Sequence, residues 1–228
     1  MWQEIINVYH DFDLCGRIDM LLLGLVSIYM WSLFFSKHLY FKKLEQSNQS
    51  LANRLSEFRA QFARDFMQLY RDIPSSSQAP VYRIYRAAID FLFADGKVSQ
   101  QDLQGTAQIM DAALSKEINA MESGLTFFSV TAMLAPMLGL FGTVWGLTIS
   151  FRGMVGSGNT TISTVAPGIS VALITTVAGL VVAIPAAAIF YYFRGRVNAQ
   201  IVVLEEFSRL LTARIGRALE REAEQNKP

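Results

Sequence analysis

Three long apolar runs constrain this chain more than any other feature of its sequence. They cover about residues 20–41, 125–151 and 165–193. Because roughly 20 apolar residues in a helix cross about 30 Å of hydrocarbon, each run is long enough to span a bilayer. A globular core can bury one such run, but a chain of 228 residues has little other sequence to cover three. The runs therefore predict an all-α membrane protein with three transmembrane helices.

Basic residues predict how these helices are oriented. Most of the flanking lysines and arginines follow the first and third runs, whereas the link at 152–164 holds only Arg152. By the positive-inside rule, residues 1–19 and 152–164 lie outside, and residues 42–124 and 194–228 form long helical extensions in the cytoplasm. The first run is interpreted as a retained helix, because the acidic flank before it is unlike a signal peptide. In a bacterium, this topology places a multi-pass protein in the inner membrane, with a periplasmic N-terminus and a cytoplasmic C-terminus.

Apolar residues at helical spacing predict amphipathic helices in both extensions. Within 42–124, the stretch IPSSSQAP at 73–80 predicts a loop, and a helix that begins near Asp102 is expected to run directly into the second span. We interpret the stripes as helix packing within or between copies of this protein. The stripe after the third span consists of Val203, Phe207, Leu210, Leu211, Ala218 and Leu219.

Composition argues against several other functions. The formal net charge is +1, which gives no strong field for nucleic acid. The single cysteine, Cys15, cannot form an intrachain disulfide. The two histidines, His10 and His38, are far apart, whereas a metal site needs several ligands together. We therefore expect no metal, no cofactor and no nucleic-acid partner.

Small residues and hydroxyls share one face of each of the last two spans. Residues three or four apart on a helix lie on the same side, which is the spacing found here. This pattern is typical of close helix packing, in which serine and threonine bond back to their own helix, and it also fits a lined pathway; both readings stay open. The residues are Gly139, Gly142, Thr143, Gly146 and Ser150 in the second span, and Gly168, Ala172, Thr175 or Thr176, Gly179 and Ala183 in the third.

Two of these hydroxyls are expected at a similar depth. At 1.5 Å per residue, Thr143 lies about 12 Å from the outer end of its span, and Thr176 lies about 16 Å from the outer end of the next. Pro136 and Pro185 each remove a backbone hydrogen bond and predict helix kinks. Apart from Lys37, the apolar runs hold no charged side chain, so we expect the proton-binding group of any proton pathway to come from another polypeptide.

Two stretches of the sequence resemble those of a known protein family. The runs MESGLTFFSVTAMLAPMLGLFGTVWGLTISF and VAPGISVALITTVAGLVVAIPAAAIFYY resemble the signature helices of the MotA/TolQ/ExbB proton channel family, over roughly residues 115–200. The three-span topology is similar to the TolQ/ExbB branch, and the short outside N-terminus favours TolQ. One position departs from the family, because the usual motif APGIAEAL reads APGISVAL here, with Val171 in place of the glutamate.

The resemblance implies a pentamer that encloses the single transmembrane helices of a TolR- or ExbD-like partner, whose aspartate binds the proton. A TolA/TonB-like protein is a further candidate partner. The family's pore threonines map onto Thr143 and Thr176, and Thr175 is a further candidate for the proton pathway. The small residues would then leave room for the partner helix; they are Gly139, Gly142, Gly146, Gly168, Ala172 and Gly179.

These observations predict a proton-channel or stator subunit that couples the proton-motive force to work at the cell envelope. The Tol-Pal and TonB-type roles stay open on the sequence alone. The alternatives are a non-conducting membrane scaffold for a single-span partner, and a divergent stator for another envelope or motility system. An enzyme is disfavoured, because the apolar runs contain no acid pair, and the second and third runs contain no base that would activate a serine.

Overall fold

A computed structural model describes residues 13–57, 63–72, 79–94, 102–157 and 162–225. The described residues form helices and no strand, as the all-α prediction requires. The chain divides into two compact units, here called the transmembrane unit (1–36 and 124–193) and the extension unit (37–123 and 194–228). The helices are α1 (Leu14–Glu57), α2 (Ala63–Asp72), α3 (Pro80–Leu92), α4 (Asp102–Glu122), α5 (Leu125–Ser157) and α6 (Ile162–Gln225).

The transmembrane unit is built from α5 and the N-terminal parts of α1 and α6. Each of these three helices contains a stretch long and apolar enough to cross a membrane. Their shared core is a cluster of small and branched side chains: Leu23, Ala135, Val182 and Ala183, with Val26, Leu138 and Ala178 packed against it. Large apolar side chains lie exposed on all three helices, among them Leu25, Leu140 and Val181. Such exposure fits a surface that lipid or other protein chains cover.

A break separates α4 from α5, so the prediction of one continuous helix into the second span is wrong. α4 ends at Glu122 and α5 begins at Leu125. Between them Gly124 adopts φ of 78°, the left-handed conformation that glycine accepts without a Cβ clash. The glycine therefore separates the end of α4 from the start of α5.

The extension unit packs α3 against α2 and α4. α3 buries most of its length, and Ile84, Tyr85 and Ile89 are fully buried. The Tyr85 hydroxyl donates a hydrogen bond to the Phe66 carbonyl at 2.5 Å. Burial raises the pKa of Tyr85, with a smaller contribution from Tyr82, so the phenol stays protonated and able to donate.

Polar contacts complete the extension unit. Arg83 pairs with Glu117 at 2.5 Å, and the Glu117 side chain is only 7% exposed. Arg196 of α6 pairs with Glu45 of α1 at 3.1 Å. Of the proposed loop IPSSSQAP, positions 73–78 lie outside the described residues.

The apolar stripe near the C-terminus is only partly as predicted. Leu211, Ala218 and Leu219 are buried as expected, together with Leu204 and Ile215. Two predicted members are exposed instead, Val203 at 39% and Leu210 at 48%. The stripe was therefore predicted about one position out of register over its first turns, because β-branched and leucine residues occupy adjacent positions there and spacing alone does not choose between them.

Candidate functional site

The small-residue faces of α5 and α6 pack directly on each other within one chain. A Cβ added to Gly139 would lie 2.9 Å from the Thr176 Cα, and one added to Gly179 would lie 2.5 Å from the Ala135 carbonyl oxygen. A Cβ on Gly146 would lie 2.9 Å from the Ala172 Cβ. Since backbone atoms do not make way for a side chain, glycine is required where the two helices cross most closely.

The other predicted packing residues belong to the same contact. A Cβ on Gly142 would meet the Thr175 hydroxyl at 2.5 Å, and a Cβ on Gly168 would collide with the Ser150 hydroxyl. All six small residues thus join α5 to α6 in one chain. That these residues also surround the helix of a partner protein stays a prediction.

The structure brings together the hydroxyls that the depth argument predicts at one level. The Oγ1 atoms of Thr143 and Thr176 are 3.4 Å apart. The Thr176 hydroxyl also donates to the Gly139 carbonyl across the helix pair, at 3.0 Å. Thr175 lies within 3.2 Å of the same carbonyl, so Gly139 offers one acceptor to two hydroxyls. We call Thr143, Thr175, Thr176 and the Gly139 carbonyl the hydroxyl cluster.

Two members of the hydroxyl cluster also bond back to their own helices. Thr143 donates to the Leu140 carbonyl at 2.7 Å, and Thr175 donates to the Ala172 carbonyl at 2.6 Å. Each hydroxyl has one hydrogen to donate and two lone pairs that accept, so rotation of a hydroxyl changes which neighbour it serves. Thr143 and Thr175 are 8% and 1% exposed, so these exchanges take place away from the surface of the chain.

The two prolines predicted to kink the spans lie inside continuous helices. α5 runs through Pro136, and α6 runs through Pro185. A proline in a helix interior leaves the carbonyl four residues earlier without its usual donor, so Ala132 and Val181 each lose a backbone hydrogen bond. The kink itself stays a prediction.

The sequence pattern does not indicate one residue of this site, Asp19. Its position just before the first apolar run predicts a flank outside the span, but α1 begins at Leu14 and carries Asp19 inside the helix. It is 3% exposed and packs beside Gly142 and Thr175. The signal was present in the spacing, because Asp19 shares the buried face of α1 with Gly16, Leu23 and Met30.

A small cavity of about 70 Å³ lies beside Gly142 in the transmembrane unit. Its walls also include Asp13, Ser150 and Val171, the position where the family glutamate is missing. Asp13 accepts hydrogen bonds from the Trp145 indole at 2.7 Å and from the Gly16 backbone at 3.0 Å. A water molecule occupies about 30 Å³ in the liquid, so the cavity has space and polar groups for water.

Comparison with known proteins identifies related chains. The model of the MotA/TolQ/ExbB proton channel family matches residues 76–206. The Tol-Pal system protein TolQ of Pseudomonas aeruginosa is 30% identical over 230 residues, 94% of each chain. The TolQ protein of Haemophilus influenzae is 41% identical over 97 residues, 42% of each chain. The biopolymer transport protein ExbB of Salmonella typhimurium is 29% identical over 218 residues, 87% of this chain and 85% of that protein.

Proposed function

Because this chain belongs to the MotA/TolQ/ExbB proton channel family, we propose that it is the proton-conducting subunit of a Tol-Pal or TonB-type energy-transducing complex in the inner membrane. The observation that supports this most is the hydroxyl cluster. The Oγ1 atoms of Thr143 and Thr176 lie 3.4 Å apart between two apolar helices. A helix that only anchors a protein in lipid does not need such paired hydroxyls. Relatives of both kinds are similar over most of the chain, and the TolQ relative favours the Tol-Pal role.

The proposed mechanism passes protons along the hydroxyls of Thr143 and Thr176 toward the acidic helix of a TolR- or ExbD-like partner. Threonine hydroxyls both donate and accept, so they relay a proton without carrying a lasting charge. The membrane potential contributes ~2.3 kcal/mol per charge per 100 mV. That energy is large enough to bias a packing change of a few kcal/mol between this oligomer, a pentamer in our proposal, and its partner. The partner transmits the work onward, with a TolA- or TonB-like protein as the next component.

The test replaces the two hydroxyls with methyl groups of the same shape. Thr143→Val and Thr176→Val remove proton donors and acceptors with little change in volume, so we expect the envelope function of the host cell to be lost. The measurement is leakage of periplasmic protein and detergent sensitivity of cells that produce only the variant chain. The matched control is Thr148→Val, because the exposed Thr148 hydroxyl on the same helix donates only to the Val144 carbonyl, at 2.7 Å. If cells with either valine variant at normal membrane levels keep an intact envelope, the hydroxyl pathway is refuted and the scaffold alternative is favoured.

A further inference from the structure

Asp19 is a buried acid that has no hydrogen-bond partner among the described residues. Its side chain is 3% exposed, and neither carboxyl oxygen accepts a hydrogen bond from any residue that the structure describes. An ionised carboxylate in an apolar site is costly unless donors or a counter-charge surround it. A carboxyl group held this way needs a proton, or a donor brought from outside the chain. Acids within membrane spans are rare and mark ion and proton pathways.

The acid lies against the hydroxyl cluster. Asp19 Oδ2 is 3.0 Å from the point that a Cβ on Gly142 would occupy, and the Thr175 hydroxyl is 2.5 Å from the same point. The glycine thus provides the space in which a carboxyl group from α1 and a hydroxyl from α6 come together. The Thr175 hydroxyl is also within 3.2 Å of the Gly139 carbonyl, which accepts a hydrogen bond from Thr176. Thr175 therefore lies between Asp19 and the acceptor that Thr176 uses.

The small cavity comes close to this acid at Gly142, although Asp19 itself is not part of the cavity wall. Gly142 is part of the cavity wall as well as a neighbour of Asp19. The cavity also presents Asp13 and the Ser150 hydroxyl, whose own hydrogen bond goes to the Gly146 carbonyl at 2.8 Å. A site with this volume and these polar partners can hold water, which carries protons between oxygens.

Among the described residues, few other charges lie near Asp19. Asp13 directly precedes α1, and Arg17 lies on it. The helices packed on it contribute none, since neither 125–151 nor 165–193 contains Asp, Glu, His, Lys or Arg. Arg152 follows the first of these stretches, nine residues or about 14 Å beyond Thr143 along the helix. The packed helices therefore offer the acid hydroxyls and carbonyls, and no fixed charge.

We propose that Asp19 is a proton-binding site of this chain itself, placed between the small cavity and the hydroxyl cluster. This proposal rests on the proposed function and differs from one expectation from the sequence, that another polypeptide supplies the proton-binding group. In the step, the O–H bond of the protonated Asp19 carboxyl breaks as a hydroxyl oxygen of the cluster takes the proton and passes its own onward. The carboxylate left behind takes the next proton from water in the cavity.

A proton is favoured over a metal cation at this site. A bound cation requires several oxygen ligands, and among the described residues no group of three or more His, Cys, Asp or Glu side chains is placed to hold a metal ion.

The first experiment asks whether Asp19 binds a proton. Infrared spectra of the purified full-length chain in lipid nanodiscs are recorded from acidic to alkaline buffer for the wild type, Asp19→Asn and Asp90→Asn. Asp90 is an exposed acid on α3 and serves as the matched control. At neutral pH, where exposed acids are ionised, we expect the C=O band of a protonated carboxyl group in the wild type and in the Asp90 variant, and its loss in the Asp19 variant. Identical spectra for the wild type and Asp19→Asn at every pH would overturn the proposal.

The second experiment asks whether that proton belongs to the pathway. The complex is purified from host membranes through a tag on this chain and placed in liposomes, and proton uptake is followed in sodium-free buffer with an enclosed pH-sensitive dye. Removing a proton-transfer group is expected to lower the rate about a hundredfold, as in acid–base catalysis. We expect this loss in Asp19→Asn and substantial recovery in Asp19→Glu.

The outcomes separate this proposal from the proposed function. If Thr143→Val and Thr176→Val abolish uptake while Asp19→Asn leaves it intact, the hydroxyl pathway stands and the role of Asp19 is overturned. If all three variants conduct like the wild type, both the pathway and the role of Asp19 are refuted. Uptake by Asp19→Leu at the wild-type rate would likewise show that the acid is dispensable. A wild-type current that requires sodium would overturn the assignment of a proton.

Discussion

Inside each of the two units, the helices pack through a different kind of side chain. The transmembrane unit joins its helices through glycine, where Gly139 and Gly179 admit the backbone of the facing helix. The extension unit joins its helices through large buried side chains, with Tyr85, Ile84 and Ile89 fully buried. In lipid, apolar side chains gain nothing by leaving their surroundings, so backbone proximity drives packing. In water, removing large apolar surface supplies most of the stability.

The two units also treat a buried acid differently. In the extension unit, Glu117 is paired with Arg83 at 2.5 Å, as a buried charge in a stable structure usually is. In the transmembrane unit, Asp19 is more deeply buried and accepts no hydrogen bond from the described residues. The satisfied acid fits a structural role, whereas the unsatisfied one is the more costly and fits a functional role.

The largest effect on stability is expected from truncating a large side chain in the extension unit. Tyr85→Ala opens a cavity and removes the donor to the Phe66 carbonyl, which should lower the free energy of unfolding by about 3–5 kcal/mol. Tyr85→Phe keeps the ring and loses only the hydrogen bond, so about 1 kcal/mol is expected. Unfolding of the purified chain in mixed micelles, followed by circular dichroism, measures both. Equal losses for the two variants would show that the ring contributes little.

Adding one methyl group to the transmembrane unit should come next. In Gly179→Ala the new Cβ would lie 2.5 Å from the Ala135 carbonyl oxygen, and overpacking of this kind costs about 1–3 kcal/mol. Gly24→Ala is the matched control, because a Cβ there meets nothing within 4 Å. The same unfolding assay compares them. If Gly179→Ala is as stable as Gly24→Ala, close backbone approach does not hold α5 and α6 together.

The smallest of these effects should come from the ion pair. Arg83→Ala leaves Glu117 buried without its partner, but the Arg83 side chain is 43% exposed and water screens the interaction. We expect a loss of about 1 kcal/mol in the free energy of unfolding. The double variant with Glu117→Leu should recover this loss, since no charge is then left unpaired. A double variant less stable than Arg83→Ala alone would argue that Glu117 has further partners.

Much of this architecture follows from the sequence, because hydropathy and helical spacing report burial directly. The three spans and the approach of Thr143 to Thr176 are of this kind, since both depend on the length and rise of helices. The break at Gly124 does not follow, because a glycine inside a helical pattern predicts no particular φ. Asp19 was missed because hydropathy ends a span at the first charge, whereas the packed face of α1 continues past it.

Proton uptake by liposomes that contain the purified complex tests the central claim most directly, the claim that the hydroxyls of α5 and α6 carry protons. The double variant Thr143→Val, Thr176→Val is compared with Thr148→Val under an imposed membrane potential. The account predicts a loss of about a hundredfold in the double variant and wild-type uptake in the control. Equal uptake by the double variant and the wild type would contradict it.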